Sequence, residues 1–334
     1  MVHELAFPLL VALIALALAF DFLNGLHDAA NAIATVVSTR LLSPVTAVLF
    51  AAAGNFAAYW LVGLHVAETV GKGIVDKDVV TPAVVFGALV GAMFWNVVTW
   101  LKGIPSSSSH ALIGGLLGAG IAHAGPGVVE MDGTSKTVLA IFLSPLIGFA
   151  IAMLLMLITS WVFKGAQPRK ADSTFKGLHL MSAAAYSISH GGNDAQKTMG
   201  IITVLLYSTG HLGGEFHVPE WVVLSCYVAI ALGTMSGGWK IIKTMGTGLT
   251  KLNHHSGFCA SSAGSIVVFG ASAMGIPIST THAITGSVVG TGAARRASAV
   301  RWSTASRVIV AWFITIPASA AVGALFYLLT RLFA

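Results

Sequence analysis

Apolar residues along this chain run in long blocks instead of alternating with a helical or strand period. Ten blocks approach the roughly 20 residues that a membrane crossing needs. They lie at about 5–37, 45–64, 82–101, 109–124, 137–163, 178–208, 221–238, 257–274, 282–294 and 303–330. The blocks at 109–124 and 282–294 are short; with their polar lead-ins they predict half-spans folded as re-entrant hairpins. The first and sixth carry a polar cluster at their centre, where a break in the helix is expected. The pattern predicts an all-α polytopic membrane protein. The first block lacks a basic leader, so it reads as a retained span and not a signal peptide.

The polar clusters repeat. Gly25, His27, Asp28, Ala29 and Asn31 in the first block return in the sixth as Gly191, Asn193, Asp194, Ala195 and Lys197. A second cluster, Ile104-Pro105-Ser106-Ser107-Ser108-Ser109-His110-Ala111, returns as Ile276-Pro277-Ile278-Ser279-Thr280-Thr281-His282-Ala283. Each is followed by glycines four apart, Gly114 and Gly118, then Gly286 and Gly290. Two motifs recurring in one order define a two-fold repeat. The halves are 1–163 and 178–334, joined by a short basic linker, 164–177. Five blocks per half is an odd number, so the second copy enters from the opposite side. Inverted-topology repeats of this kind hold substrate near the midplane, at discontinuous helices.

Composition agrees. The chain is 56% hydrophobic and 9% charged, where soluble domains carry about 25% charge. The net charge of +6 reflects loop placement and not a nucleic-acid partner. With the N-terminus outside, most of the 18 Lys and Arg residues fall inside, among them Arg40, Lys102, Lys164, Lys240, Lys243 and Arg295, while Glu4, Glu68, Glu130 and Glu220 fall outside. The positive-inside rule therefore selects that orientation in a plasma (inner) membrane. Residues 239–256 read as an amphipathic helix on the cytoplasmic surface. Cys226 and Cys259 sit in apolar blocks and read as small core residues. Most tryptophans fall near block ends, as an interfacial belt does.

Candidate chemistry follows from the repeated clusters. Pro105 and Pro277 keep the preceding residue extended, so the hydroxyl runs Ser106, Ser107, Ser108, Ser109 and Ser279, Thr280, Thr281 open helices whose N-termini favour an anion. Capping of their own helices is the plainer alternative for each run alone. Asp28 and Asp194 would repel a simple anion. They fit an anion that carries a proton to donate, which inclines the substrate toward phosphate over sulfate. Asn31, Thr35, Asn193 and Gln196 offer neutral oxygens of the kind hard cations prefer. Lys197 either pairs with Asp194 or attracts the anion directly. His27, His110, His190 and His282 are candidate proton relays or metal ligands, with His110 and His282 read as orienting groups; no metal is assigned. Asp21, in the first block, has no evident role.

These four motifs resemble those of the inorganic phosphate transporter (PiT) family, which includes some sulfate permeases, and the resemblance spans nearly the whole chain. It implies a cation-coupled symporter and not an enzyme. It implies functional roles for Asp28, Asn31, Asn193 and Asp194 and for the hairpin tips Ser106–Ser109 and Ser279–Thr281; together with the residue reading above, the expected substrate-binding set is Ser106–Ser109, Ser279–Thr281, Gln196 and Lys197, and the coupling set is His27, Asp28, Asn31, Thr35, Asn193 and Asp194. No cofactor is expected; the partners are inorganic phosphate, free or as a metal-phosphate complex, the lipid bilayer and, in some assemblies, further copies of the chain. His27 stands where sodium-coupled members typically have Asn, which argues for a proton as coupling ion, with sodium the alternative. After Phe258, where many relatives carry Glu, this chain reads Cys259-Ala260-Ser261-Ser262.

Overall fold

The computed structural model describes residues 6–332. Glu4, the start of the first block, the two chain ends and the side chain of Lys72 lie outside the described residues. Twelve α-helices are present among them: α1 (Phe7–Ser38), α2 (Pro44–Leu61), α3 (His65–Lys72), α4 (Pro82–Lys102), α5 (Ser108–Ala124), α6 (Met131–Val162), α7 (Pro168–Ser208), α8 (Glu220–Ser236), α9 (Trp239–Lys243), α10 (His254–Ala273), α11 (Thr280–Arg295) and α12 (Trp302–Thr330). No strand occurs among the described residues, only an isolated bridge between Val75 and Val129. Six helices are long and apolar enough to cross a membrane, or seven if α8 and the segment after it, bent by 66°, form one span.

Local chemistry sets the helix starts. Prolines stand in the first turn of α2, α4 and α7, where no backbone donor is lost. Ser43, Thr81, Ser107, Asn253 and Ser279 cap α2, α4, α5, α10 and α11 through their side chains. Gly103, at φ 64°, ends α4 in the left-handed region. The linker is helical from Pro168 onward, so α7 begins ten residues before the sixth apolar block.

The elements run in the same order twice. A long motif-bearing helix (α1, α7) precedes a bent pair (α2–α3, α8–α9), a hairpin (α4–α5, α10–α11) and a long closing helix (α6, α12). The copies interlock: α1 packs on α8 and α2 on α7, while α5 packs on α12 and α6 on α11. Two apolar cores result, each drawn from both halves of the chain. The hairpin helices α5 and α11, of 17 and 16 residues, reach only about 25 Å.

Two sequence expectations are corrected. The motifs around Asp28 and Asp194 do not break their helices: α1 and α7 run through them, and the interruptions lie at the hairpin turns 103–107 and 274–279. Residues 239–256 do not form one surface helix. A five-residue helix and a π turn fold back, burying Ile241, Ile242, Met245 and Leu249 in the core beside the C-terminal half of α1, before α10 begins.

The spaced glycines sit at helix crossings. A Cβ on Gly118 would collide with the Ala320 backbone of α12, and one on Gly286 with Pro145 of α6. Gly118→Leu is therefore expected to prevent α5 from seating against α12, abolishing the monodisperse folded peak in detergent size-exclusion chromatography. A normal peak would mean that this contact is dispensable.

Candidate functional site

Along α1 the residues Asp21, Asn24, Asp28, Asn31 and Thr35 recur at spacings of three and four, so they share one face of the helix. That face is buried, each side chain being at most 2% exposed. The matching positions of α7 are Ser187, His190, Asp194 and Lys197, equally buried. Polar stripes turned inward reverse the usual amphipathic pattern. Polar groups at such depth cost several kcal/mol unless they are partnered or used.

The two hairpin tips close on these stripes. From α5, Ser108 donates to Asp28 Oδ2 at 3.1 Å; from α11, Thr280 donates to Asp194 Oδ2 at 3.2 Å. The next residue of each tip reaches across to the other half. Ser109 accepts from Lys197 Nζ at 2.5 Å, and Thr281 accepts from Asn31 Nδ2 at 2.9 Å while donating to Asp28 Oδ1 at 3.3 Å. Lys197 completes its donors on Asp194 Oδ1 (2.5 Å) and the Ile278 carbonyl (2.8 Å).

His190 links the halves, with Nε2 3.4 Å from Asp194 Oδ2 and 3.9 Å from Asp28 Oδ2. Its Nδ1 lies 3.0 Å from the Asn55 side-chain oxygen, which accepts its proton. Asp28, His190 and Asp194 offer ligand atoms all within 4.8 Å of one another, close enough to share one small cation. His27 bonds Asp28 through Nδ1 at 2.9 Å and approaches the Thr99 hydroxyl through Nε2 at 3.1 Å. The arrangement juxtaposes hydroxyl donors, two carboxylates, one ammonium and the first turns of two helices. In those turns the Ser107 and Ser279 hydroxyls already hold the His110 and His282 N–H groups. The first two N–H groups of α5 and of α11 have no intrahelical acceptor.

Residues 24–323 match PHO4, the phosphate transporter family. The chain belongs to this family. It is 61% identical to the probable low-affinity inorganic phosphate transporter of Rhizobium meliloti (strain 1021), over 97% of each chain. It is 43% identical to the protein of the same description from Bacillus subtilis (strain 168), over 97% of this chain and 98% of the other. Among solved structures, "The sodium-dependent phosphate transporter" superposes with a TM-score of 0.87 at 26% identity, covering 98% of this chain and all of that one. As a member of the phosphate transporter family, it is a transporter and not an enzyme.

In this transporter the predicted residues divide. Asp28, Asn31, Asp194, Lys197, Ser108, Ser109, Thr280 and Thr281 converge, with His27 and His190 beside them. Ser107 and Ser279 cap their own helices, the plainer of the two expectations for each. Ser106 donates to Thr99 at 2.9 Å and lies 3.5 Å from His27. Thr35 bonds Ser261 at 3.1 Å, and Asn193 donates to Ser272 at 2.9 Å. The Asn31 and Asn193 side-chain oxygens are buried without a partner, as free acceptors.

Gln196 does not join the cluster. Its oxygen accepts from the Val66 and Ala67 N–H groups at the start of α3, and its nitrogen donates to Gly63 and Gly192. It holds the bend between α2 and α3. His110 and His282 meet edge to face at 4.4 Å, and His282 stacks on Trp312 at 3.8 Å. Neither ring bonds a residue of the cluster, His282 facing only the Ile141 backbone, so the two histidines pack beside the site and do not orient its groups.

Sequence reasoning missed Asn55, Thr99, Ser261 and Ser272, which brace His190, His27, Thr35 and Asn193. Asn55 and Ser272 are lone polar residues within apolar blocks, and that isolation was the available signal; Thr99 and Ser261 stand close to Asn96 and Ser262 and carry none.

Proposed function

We propose that this protein imports inorganic phosphate by symport with protons, holding the substrate near the membrane midplane between the first turns of α5 and α11. The observation that carries the reading is the convergence of the two hairpin tips on Asp28 and Asp194. Hydroxyl and N–H donors suit an oxyanion, while carboxylates suit only an oxyanion able to donate a proton back. Sulfate has none to give at neutral pH and would meet repulsion. The proton reading draws on His27 and His190, which connect both carboxylates through rings able to gain and lose a proton. The basic loops favour an inner membrane with the N-terminus outside. The transported species, free phosphate or a neutral metal complex, and assembly into homo-oligomers belong to the same proposal.

Sodium coupling is the second reading, favoured by the sodium-dependent structural neighbour and by the unpartnered Asn31 and Asn193 oxygens. Labelled phosphate and sulfate, offered in parallel to proteoliposomes with an inward proton gradient and no sodium, separate the readings. Phosphate is expected to accumulate and to leak away when a protonophore is added. Sulfate accumulation would overturn the substrate, and uptake that appears only on adding sodium would overturn the coupling ion.

A further inference from the structure

Asp21 is absorbed by none of this. It lies on the polar face of α1 seven residues before Asp28, about 10 Å along the axis, and it is fully buried. Neither of its carboxyl oxygens makes a well-formed hydrogen bond, the Thr198 hydroxyl and the Asn24 side chain being the donors close enough to interact with it. Around it stand three further buried oxygens without partners: Asn24 Oδ1 one turn along α1, Thr198 Oγ1 on α7 and Tyr227 Oη on α8. Thr198 and Asn24 are its immediate polar neighbours. The titratable groups facing it are Asp194 and His190 from α7 and Cys226 and Tyr227 from α8. Lys197 is already committed to Asp194, Ser109 and Ile278. The surroundings are otherwise apolar, with Phe20, Cys226 and Ile230 in the same core.

The repeat makes the feature specific. The corresponding residue of α7 is Ser187, whose hydroxyl is satisfied on the Ala183 carbonyl at 2.9 Å. A carboxyl at the matching place in α1 breaks the symmetry of the two stripes, and no second phosphate contact explains it. An ionised carboxylate here meets only the neutral Thr198 and Tyr227 hydroxyls and the Asn24 amide, with Lys197 committed elsewhere and the like-charged Asp194 facing it, whereas one added proton removes the charge and turns Asp21 into a donor for Asn24 Oδ1.

We propose that Asp21 is a second proton-carrying position of the transport cycle, one helical stretch outside the phosphate cradle. A proton from the outer solution binds an Asp21 carboxyl oxygen, crosses with the closed protein and is released to inner water when the helices part. The inference rests on the proton-symport reading and extends it to a stoichiometry.

The test is the steady phosphate gradient that proteoliposomes sustain at a fixed pH difference, with the membrane potential clamped at zero. Each coupled proton multiplies that gradient about tenfold per pH unit. Asp21→Asn imitates the protonated side chain. It is expected to sustain a gradient about tenfold smaller per pH unit than wild type while exchanging internal for external phosphate at equal pH as fast as wild type. An unchanged gradient overturns the assignment. Wild-type protein that shows no pH-driven accumulation overturns the symport reading itself, and this inference with it. Should Asp21→Asn fail to reach the membrane, Thr198→Val, which keeps the carboxyl and removes a neighbour, is expected to displace the half-maximal pH of uptake with exchange retained. An unmoved pH profile then counts against the proposal.

Discussion

Asp28→Asn and Asp194→Asn are each expected to reduce phosphate uptake per membrane-inserted protein at least a hundredfold, Asp28→Asn at normal abundance and Asp194→Asn at reduced abundance because it leaves the buried Lys197 ammonium without its carboxylate. Asp28 accepts from Ser108 and Thr281 and is paired with His27; Asp194 accepts from Thr280 and Lys197. An amide keeps the shape of a carboxylate but replaces one acceptor oxygen with a donor and removes the charge. A hydrogen bond to a charged group contributes about 1.5–3 kcal/mol, so losing two removes about 3–6 kcal/mol of organisation from the hairpin tips. A protonated oxyanion also loses its acceptor. Insertion of Asp28→Asn is spared because a neutral amide is easier to bury than a carboxylate. Labelled phosphate uptake, normalised to membrane abundance, checks the pair. Near-normal transport by both would remove these carboxylates from the site.

The architecture was legible in the sequence because membrane burial makes polar residues conspicuous. Asp28 and Asp194 stand out in apolar blocks, and the hydroxyl runs stand out before glycine-spaced helices. What was not legible was tertiary. The polar clusters that contain Gly25 and Gly191 suggested breaks in α1 and α7, yet both helices run through and each glycine serves a close crossing, Gly25 against the Ile230 carbonyl and Gly191 against the Asn55 backbone. The absence of a Cβ reads the same way in sequence for a turn and for a crossing. Gln196 was grouped with the site for its neutral side-chain oxygen, although two residues from Asp194 on a helix points to a different face. The interlocking of the two halves left no mark at all. The packing of α5 on α12 and α6 on α11 depends on partners far along the chain, and no local pattern encodes it.

Lys197→Met is expected to destabilise the protein itself, by about 3–5 kcal/mol, because it removes the ammonium paired with the buried Asp194 carboxylate and leaves only the His190 ring beside it. Lys197 Nζ holds three partners, Asp194, Ser109 and the Ile278 carbonyl. It thus ties α7 to both hairpin tips at once. The first half manages without such a residue: its matching position is Asn31, and Asp28 is hydrogen-bonded to His27 instead, while His190 lies between the two carboxylates. That asymmetry gives the test its control. Adding Asp194→Asn to Lys197→Met removes the stranded charge, so the double variant is expected to recover most of the lost thermal stability in detergent. It is not expected to recover uptake, because the carboxylate that meets Thr280 and the ammonium that holds Ser109 are both gone. If the single variant melts at the wild-type temperature, the Lys197–Asp194 pair is not what joins the hairpins to α7. If the double variant is no more stable than the single, the destabilisation comes from the lost contacts to Ser109 and Ile278 and not from an uncompensated charge.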